Sequence, residues 1–171
     1  MSSFRNIFFF VTFSVFVAGC ADISTQFKQV SEPQEGVPRA RLRILANSLV
    51  KAVPEKDCID WSAPGAGTIF GGIVGSSGYR GRSIGMPFKP ANTSDFGEMY
   101  IAAGKPITLV FLTTPENRYS CSVAGTFVPE KDKDYGAELW LNPSERQCVF
   151  RLSQLGETPL PVKVISASAC K

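Results

Sequence analysis

Ile107-Thr108-Leu109-Val110-Phe111-Leu112-Thr113 and, shortly after it, Tyr119-Ser120-Cys121-Ser122-Val123-Ala124-Gly125-Thr126-Phe127-Val128 decide the fold class. The first is a continuous apolar run rich in β-branched and aromatic residues, as expected of a central strand. The second alternates, placing Tyr119, Cys121, Val123, Gly125 and Phe127 on one face. Downstream, strands are predicted at Tyr135 to Leu141 and Gln147 to Leu152, joined by the turn residues Asn142-Pro143-Ser144-Glu145, and a last one at Val162 to Ser168. Upstream, Ala40, Leu42 and Ile44 alternate with Arg39, Arg41 and Arg43, and Asn47-Ser48 forms a turn into a strand at Leu49 to Val53. Helical periodicity is nearly absent. About seven short strands with Gly, Pro and Asn punctuation predict an all-β domain, an antiparallel β-sandwich with little helix.

The glycine-rich stretch from Trp61 to Lys89 lacks steady periodicity and reads as a long loop or a glycine-loosened hairpin. Its Gly65-Ala66-Gly67-Thr68-Ile69-Phe70-Gly71 has neither the lysine nor the following helix of a phosphate loop. Asp60, Trp61, Tyr79, Arg80 and Arg82 form a candidate binding surface, because loops at a sandwich end carry function and Tyr, Trp and Arg dominate hot spots. Trp61, three residues after Cys58, also suits a core aromatic packed on a disulfide. Arg39, Arg41 and Arg43 are expected to project together toward solvent. They would there guard an edge or touch anionic headgroups or acidic glycan.

Composition matches an ordinary globular domain, with 44% hydrophobic and 19% charged residues. The formal charge of +3 is too small to imply a nucleic-acid partner. The chain has no histidine, which removes the commonest general base near neutral pH and the usual triads. The carboxylates Asp57 with Asp60 and Asp132 with Asp134 are close in sequence, but the second pair lies in the charged turn Glu130 to Asp134, which suits a solvated loop, and no catalytic residue is assigned.

Five cysteines leave one over in an oxidising compartment. Cys58, Cys121, Cys148 and Cys170 are expected to form two disulfides, with three connectivities open and the pairing of Cys121 with Cys148 and of Cys58 with Cys170 preferred. No CxxC spacing is present, so neither a metal nor a cofactor is implied.

The fifth, Cys20, ends the run Val17-Ala18-Gly19-Cys20 behind an apolar stretch from Ile7 to Val17 and the basic Arg5. This pattern resembles a bacterial lipoprotein signal. The resemblance implies cleavage after Gly19, lipidation of Cys20, and 152 remaining residues of the 171. Ala21 in place of Asp after the cysteine implies an outer-membrane anchor facing the periplasm. Residues 20–38 are polar and turn-rich and read as a tether, spanning at most about 60 Å when extended, with the domain at residues 39–171. An edge strand near Phe27 to Val30 is the alternative.

Ala103-Gly104-Lys105-Pro106 before one strand, and Phe127-Val128-Pro129-Glu130-Lys131-Asp132-Lys133-Asp134-Tyr135 between two others, resemble turns of small Gram-negative envelope lipoproteins with a transthyretin-like or immunoglobulin-like sandwich. The likeness covers about 50 residues, from Ala103 to Leu152, and carries over no catalytic residue. It implies a fold and a compartment, and with no catalytic residue assigned the expectation is a lipid-anchored binding or structural protein whose partner is an envelope protein or a cell-wall component. The alternative is a periplasmic inhibitor or immunity protein that plugs an enzyme with a loop such as Ser76-Ser77-Gly78-Tyr79-Arg80.

Overall fold

The computed structural model describes residues 28–71, 78–88, 96–113, 119–142 and 144–171, and among these it contains strands and no helix. The strands are β1 (Arg39–Ala46), β2 (Leu49–Pro54), β3 (Gly67–Phe70), β4 (Phe96–Ala102), β5 (Ile107–Leu112), β6 (Ser122–Phe127), β7 (Asp134–Asn142), β8 (Gln147–Gln154), β9 (Leu160–Pro161) and β10 (Ile165–Ser166). One sheet runs β4-β1-β7-β8-β9 and the other β10-β6-β5-β2-β3, so the fold is a β-sandwich.

Alternation decides which residues fill the space between the sheets. Ala40, Leu42 and Ile44 of β1, Met99 and Ile101 of β4, and Tyr135, Ala137 and Leu139 of β7 face Val50 and Ala52 of β2 and Ile107, Leu109 and Phe111 of β5. All of them are buried. The turn between β6 and β7 is fastened to the same core, since the rings of Phe127 and Tyr135 lie 5.3 Å apart. The Glu130 amide also donates to the Tyr135 hydroxyl at 2.9 Å.

Asn47-Ser48 is a turn of another kind than a hairpin, because β1 and β2 lie in opposite sheets. The Asn47 side chain takes the place of a strand partner at the end of β7, donating to the Leu141 carbonyl at 3.1 Å and accepting from the Leu141 amide at 3.0 Å. Ser48 donates to the Leu112 carbonyl of β5 at 2.8 Å. The two residues thus carry the chain across the sandwich with its polar groups satisfied. A consequence is that β1 and β7 run parallel, Arg41 to Ala46 pairing with Asp134 to Leu139, while every other ladder is antiparallel. Parallel neighbours need a long crossover, and the intervening chain supplies it by building most of the second sheet.

The sequence reading assigns no strand to β3 or β4, and glycine accounts for both omissions. Gly67 and Gly97 weaken the pattern, yet each sits where another segment's backbone comes so close that a Cβ would collide with it. At Gly67 the neighbour is Lys28 to Val30, and at Gly97 it is Tyr79. The first contact matches the alternative of an edge segment near Phe27 to Val30, inside the stretch expected to be a tether. Residues 28–31 dock along the edge of β3, with Thr68 donating to the Lys28 carbonyl at 2.8 Å and Val30 to the Thr68 carbonyl at 3.0 Å. Val30 is 1% exposed, an apolar side chain that gains more from the core than from water.

The structure has the disulfides Cys58–Cys170 and Cys121–Cys148, with Cα separations of 5.1 and 6.2 Å. Cys121 precedes β6 and Cys148 lies in β8, so that bond staples one sheet to the other. Cys58–Cys170 fastens the C-terminus beside Ile59, whose amide donates to Ser168 and whose carbonyl accepts from Cys170. In the chain-entropy model, removing this bond, which closes 112 residues, lowers stability by about 4–5 kcal/mol. Denaturant unfolding of Cys58→Ser with Cys170→Ser measures the loss, and an unchanged midpoint refutes it.

Candidate functional site

On the outer face of the first sheet, Arg43 of β1 stands directly opposite Glu98 of β4. Both side chains are almost fully withdrawn from water, at 3% and 1% exposure, and such charges are tolerated only with complete hydrogen bonding. Arg43 Nε donates to Glu98 Oε1 at 2.8 Å, Nη1 to the Phe88 carbonyl at 2.6 Å and Nη2 to the Met86 carbonyl at 3.1 Å. Glu98 Oε2 accepts from the Ile84 amide at 2.7 Å, the Ser83 hydroxyl at 3.2 Å and the Met86 amide at 3.4 Å. Arg41 adds a bidentate pair with Asp134, at 2.6 and 2.7 Å, and donates to the Gly85 carbonyl at 3.1 Å. Residues 83–88 are thereby strapped over the sheet by two arginines and one carboxylate. Burial pushes the Glu98 carboxyl up, but the Ile84 amide, the Arg43 guanidinium and the Met86 amide together outweigh it and hold the group below its ordinary value.

The row Arg39, Arg41 and Arg43 therefore does not stand open to solvent as the alternation suggests. Arg43 is buried, Arg41 is neutralised by Asp134, and the Arg39 guanidinium lies 4.3 Å from the Tyr100 ring centre. The period-two pattern gives the face correctly but cannot report that a loop returns to cover it. Sequence reasoning missed Glu98. The signal available was Glu98 and Tyr100 alternating with Met99 and Ile101, obscured by Gly97.

The candidate recognition residues divide likewise. Tyr79 is a core residue, 7% exposed, whose hydroxyl donates to the Val30 carbonyl at 2.9 Å. Its place in an exposed loop is corrected. Arg80 is exposed, beside the Phe70 ring at 5.6 Å. Arg82 makes a bidentate pair with Glu32, at 2.7 and 3.1 Å, and lies 4.9 Å from the Tyr79 ring. Asp60 accepts from the amide and the hydroxyl of Ser62, which hold its carboxyl below the ordinary range. Trp61 packs on Val53, Ala63 and Ala66, in a small cluster apart from the main core, and its ring centre lies 4.0 Å from Nζ of the fully buried Lys51. Cys20 and Ser76-Ser77 lie outside the described residues.

A cleft of about 620 Å³ lies at one end of the sandwich. Ser31 to Gln34 with Val37 form one wall, residues 99–102 of β4 another, and Pro54, Pro64 and Pro106 much of the remainder. The half-exposed Val37 stands at its rim. Glu32 links this cleft to the strapped loop, since Oε1 accepts both from Arg82 and from the Tyr100 amide, the latter at 2.8 Å. No protein-family model, no curated protein and no solved structure matches the chain. The cleft combines apolar walls and a strand edge with three charged residues, Glu32, Glu55 and Lys56, a lining that suits a binding site.

Glu98→Gln is expected to cost about 3–5 kcal/mol, because it leaves Arg43 buried without a charge partner. Since Glu98 is held below its ordinary value, it stabilises the fold above the unfolded carboxyl's pKa of about 4.3 and loses that contribution as pH falls through the lowered native value. Denaturant unfolding between neutral and acid pH should show a slope in the wild type that Glu98→Gln flattens. Tyr79→Ala, which removes a core aromatic, is expected to cost roughly 3–5 kcal/mol in the same assay.

Proposed function

We propose that this protein is a lipid-anchored lipoprotein of the Gram-negative envelope that binds a protein or cell-wall partner through the cleft. Cysteine accounting carries the reading. Four of the five cysteines are joined in two disulfides, as in an oxidising compartment, and the remaining Cys20 ends an apolar stretch behind Ala18-Gly19. Binding in place of catalysis is supported by the absence of histidine from the sequence and by the state of three carboxylates withdrawn from water. Glu98, Glu32 and Asp134 are each committed to an arginine and so are poorly placed as general bases. The inhibitory reading through the loop at Tyr79 loses support, because that side chain is spent on the core.

On this reading Cys20→Ser moves the protein from the membrane fraction to the soluble one and abolishes incorporation of radioactive palmitate, since acyl chains contribute about 0.8 kcal/mol per buried CH₂. Continued membrane association refutes the anchor. Val37→Arg places a charge at the rim on a side chain that is 43% exposed, so it should leave the melting temperature within a degree or two while reducing partner co-purification from solubilised membranes. Undiminished co-purification moves the interface away from the cleft.

A further inference from the structure

We propose that the cleft takes an extended peptide segment, which adds as a strand to the open edge of β4 at Tyr100 and Ala102. The inference rests on the reading of the cleft as the binding site and goes on to name its occupant.

The ladder geometry fixes which backbone groups are available. Ala103 donates to the Pro38 carbonyl, and in the same alternation Ile101 and Met99 turn their amides and carbonyls toward β1. Phe96, Glu98, Tyr100 and Ala102 therefore turn theirs outward. Phe96 and Glu98 are met by the strapped loop, with Gly81 donating to the Phe96 carbonyl at 2.7 Å and Glu98 to the Arg82 carbonyl at 3.0 Å. The Tyr100 amide is met by the Glu32 carboxylate. The Tyr100 carbonyl and both backbone groups of Ala102 have no partner among the described residues, and both residues line the cleft. An extended peptide offers that edge one complete antiparallel pair at Ala102 and a further amide for the Tyr100 carbonyl. Glu32 marks where the added strand stops.

Chemistry separates a peptide from the other occupant that apolar walls suggest, an acyl chain. A hydrocarbon would desolvate the three backbone groups and satisfy none of them, whereas a strand satisfies all three and still lays alternate side chains on the walls. Pro33, Pro54, Pro64 and Pro106 provide apolar surface without an N–H that would compete for the peptide's carbonyls. The molecule already uses this kind of contact twice. Residues 28–31 lie along β3 over Gly67, and the segment at Tyr79 to Arg82 lies along β4 over Gly97. The open stretch of β4 continues the edge that the second of these occupies.

The test uses the full chain in detergent and a fluorescent, end-blocked heptapeptide of alternating valine and threonine. A second peptide of the same sequence carries N-methyl groups on alternate amides, which removes one row of main-chain donors and leaves every side chain in place. Saturable binding of the first, at least about tenfold weaker binding of the second, and a shift of the Ala102 amide resonance on titration are the expected results. Ala102→Pro removes the outward donor without touching a bond to β1, and it should weaken the parent peptide to a similar degree. If that variant does not fold, the two peptides on the wild-type chain decide alone. Equal binding of both peptides, no saturable binding of the first, or full displacement of the first by palmitate with no Ala102 shift each overturns the proposal. Where Val37→Arg abolishes partner co-purification yet N-methylation has no effect, the cleft remains the binding site and the strand-addition proposal falls. Peptide binding as expected, with partner co-purification indifferent to Val37→Arg, leaves strand addition standing and refutes the cleft as the partner's site.

Discussion

The carboxylate of Glu98 and the guanidinium of Arg43 are shut away from water, and satisfying them completely is the constraint from which much of the architecture follows. A buried ion pair is weak evidence of stability, because desolvation offsets most of the attraction. Its effect here is positional. The carboxylate gathers the amides of Ile84 and Met86, and the guanidinium gathers the carbonyls of Met86 and Phe88. That fixes residues 83–88 over the sheet and so fixes the turn at Tyr79 to Arg82 on the edge of β4. Tyr79 then enters the core and holds the Val30 carbonyl, and Arg82 holds Glu32. The N-terminal segment that walls the cleft is thus positioned by way of a charge pair between β1 and β4.

Edges are the second constraint. A two-sheet sandwich has four, and exposed edges invite uncontrolled pairing. Residues 28–31 cover β3, and the segment at Tyr79 to Arg82 covers part of β4. The C-terminal segment supplies both short strands at the opposite side, β9 beside β8 and β10 beside β6, and the disulfide Cys58–Cys170 holds its end. The stretch of β4 at Tyr100 and Ala102 escapes this covering, and there the cleft lies.

Most of the longer strands were legible in the sequence because each carries its own signal, a two-residue period or a continuous apolar run. Ile107 to Thr113 and Tyr135 to Leu141 needed no knowledge of their partners, and the four cysteines other than Cys20 pointed to paired thiols. What the pattern could not carry was anything decided by a second segment. Gly97 and Glu98 read as interruptions, whereas the first is small because Tyr79 passes beside it and the second is charged because Arg43 stands opposite. Tyr79 reads as an exposed aromatic in a glycine-rich loop until the loop is seen to be strapped down. Asn47-Ser48 has the composition of a hairpin turn and serves to switch sheets. For the same reason the cleft was not legible at all. Its walls come from separate stretches of chain, and the prolines among them are indistinguishable locally from those of any loop.

The engagement of the arginines bears on how such a domain would meet a surface. An arginine row facing an anionic membrane gains about 1 kcal/mol per charge, provided that each guanidinium is available. Arg43 is buried on Glu98 and Arg41 is matched by Asp134, so two of the three arginines that the sequence offers for such contact are cancelled within a few ångströms. On the proposed reading, attachment therefore falls to the acyl chains on Cys20, and the domain's own surface is left for a partner. Recognition by a strand edge between apolar walls suits that division, since backbone bonds accept many sequences and alternate side chains supply the selectivity. A protein that must engage a short extended segment of an envelope partner needs a rigid edge more than a flexible loop, and the strapping of residues 83–88 by Arg43 and Glu98 supplies that rigidity beside the cleft.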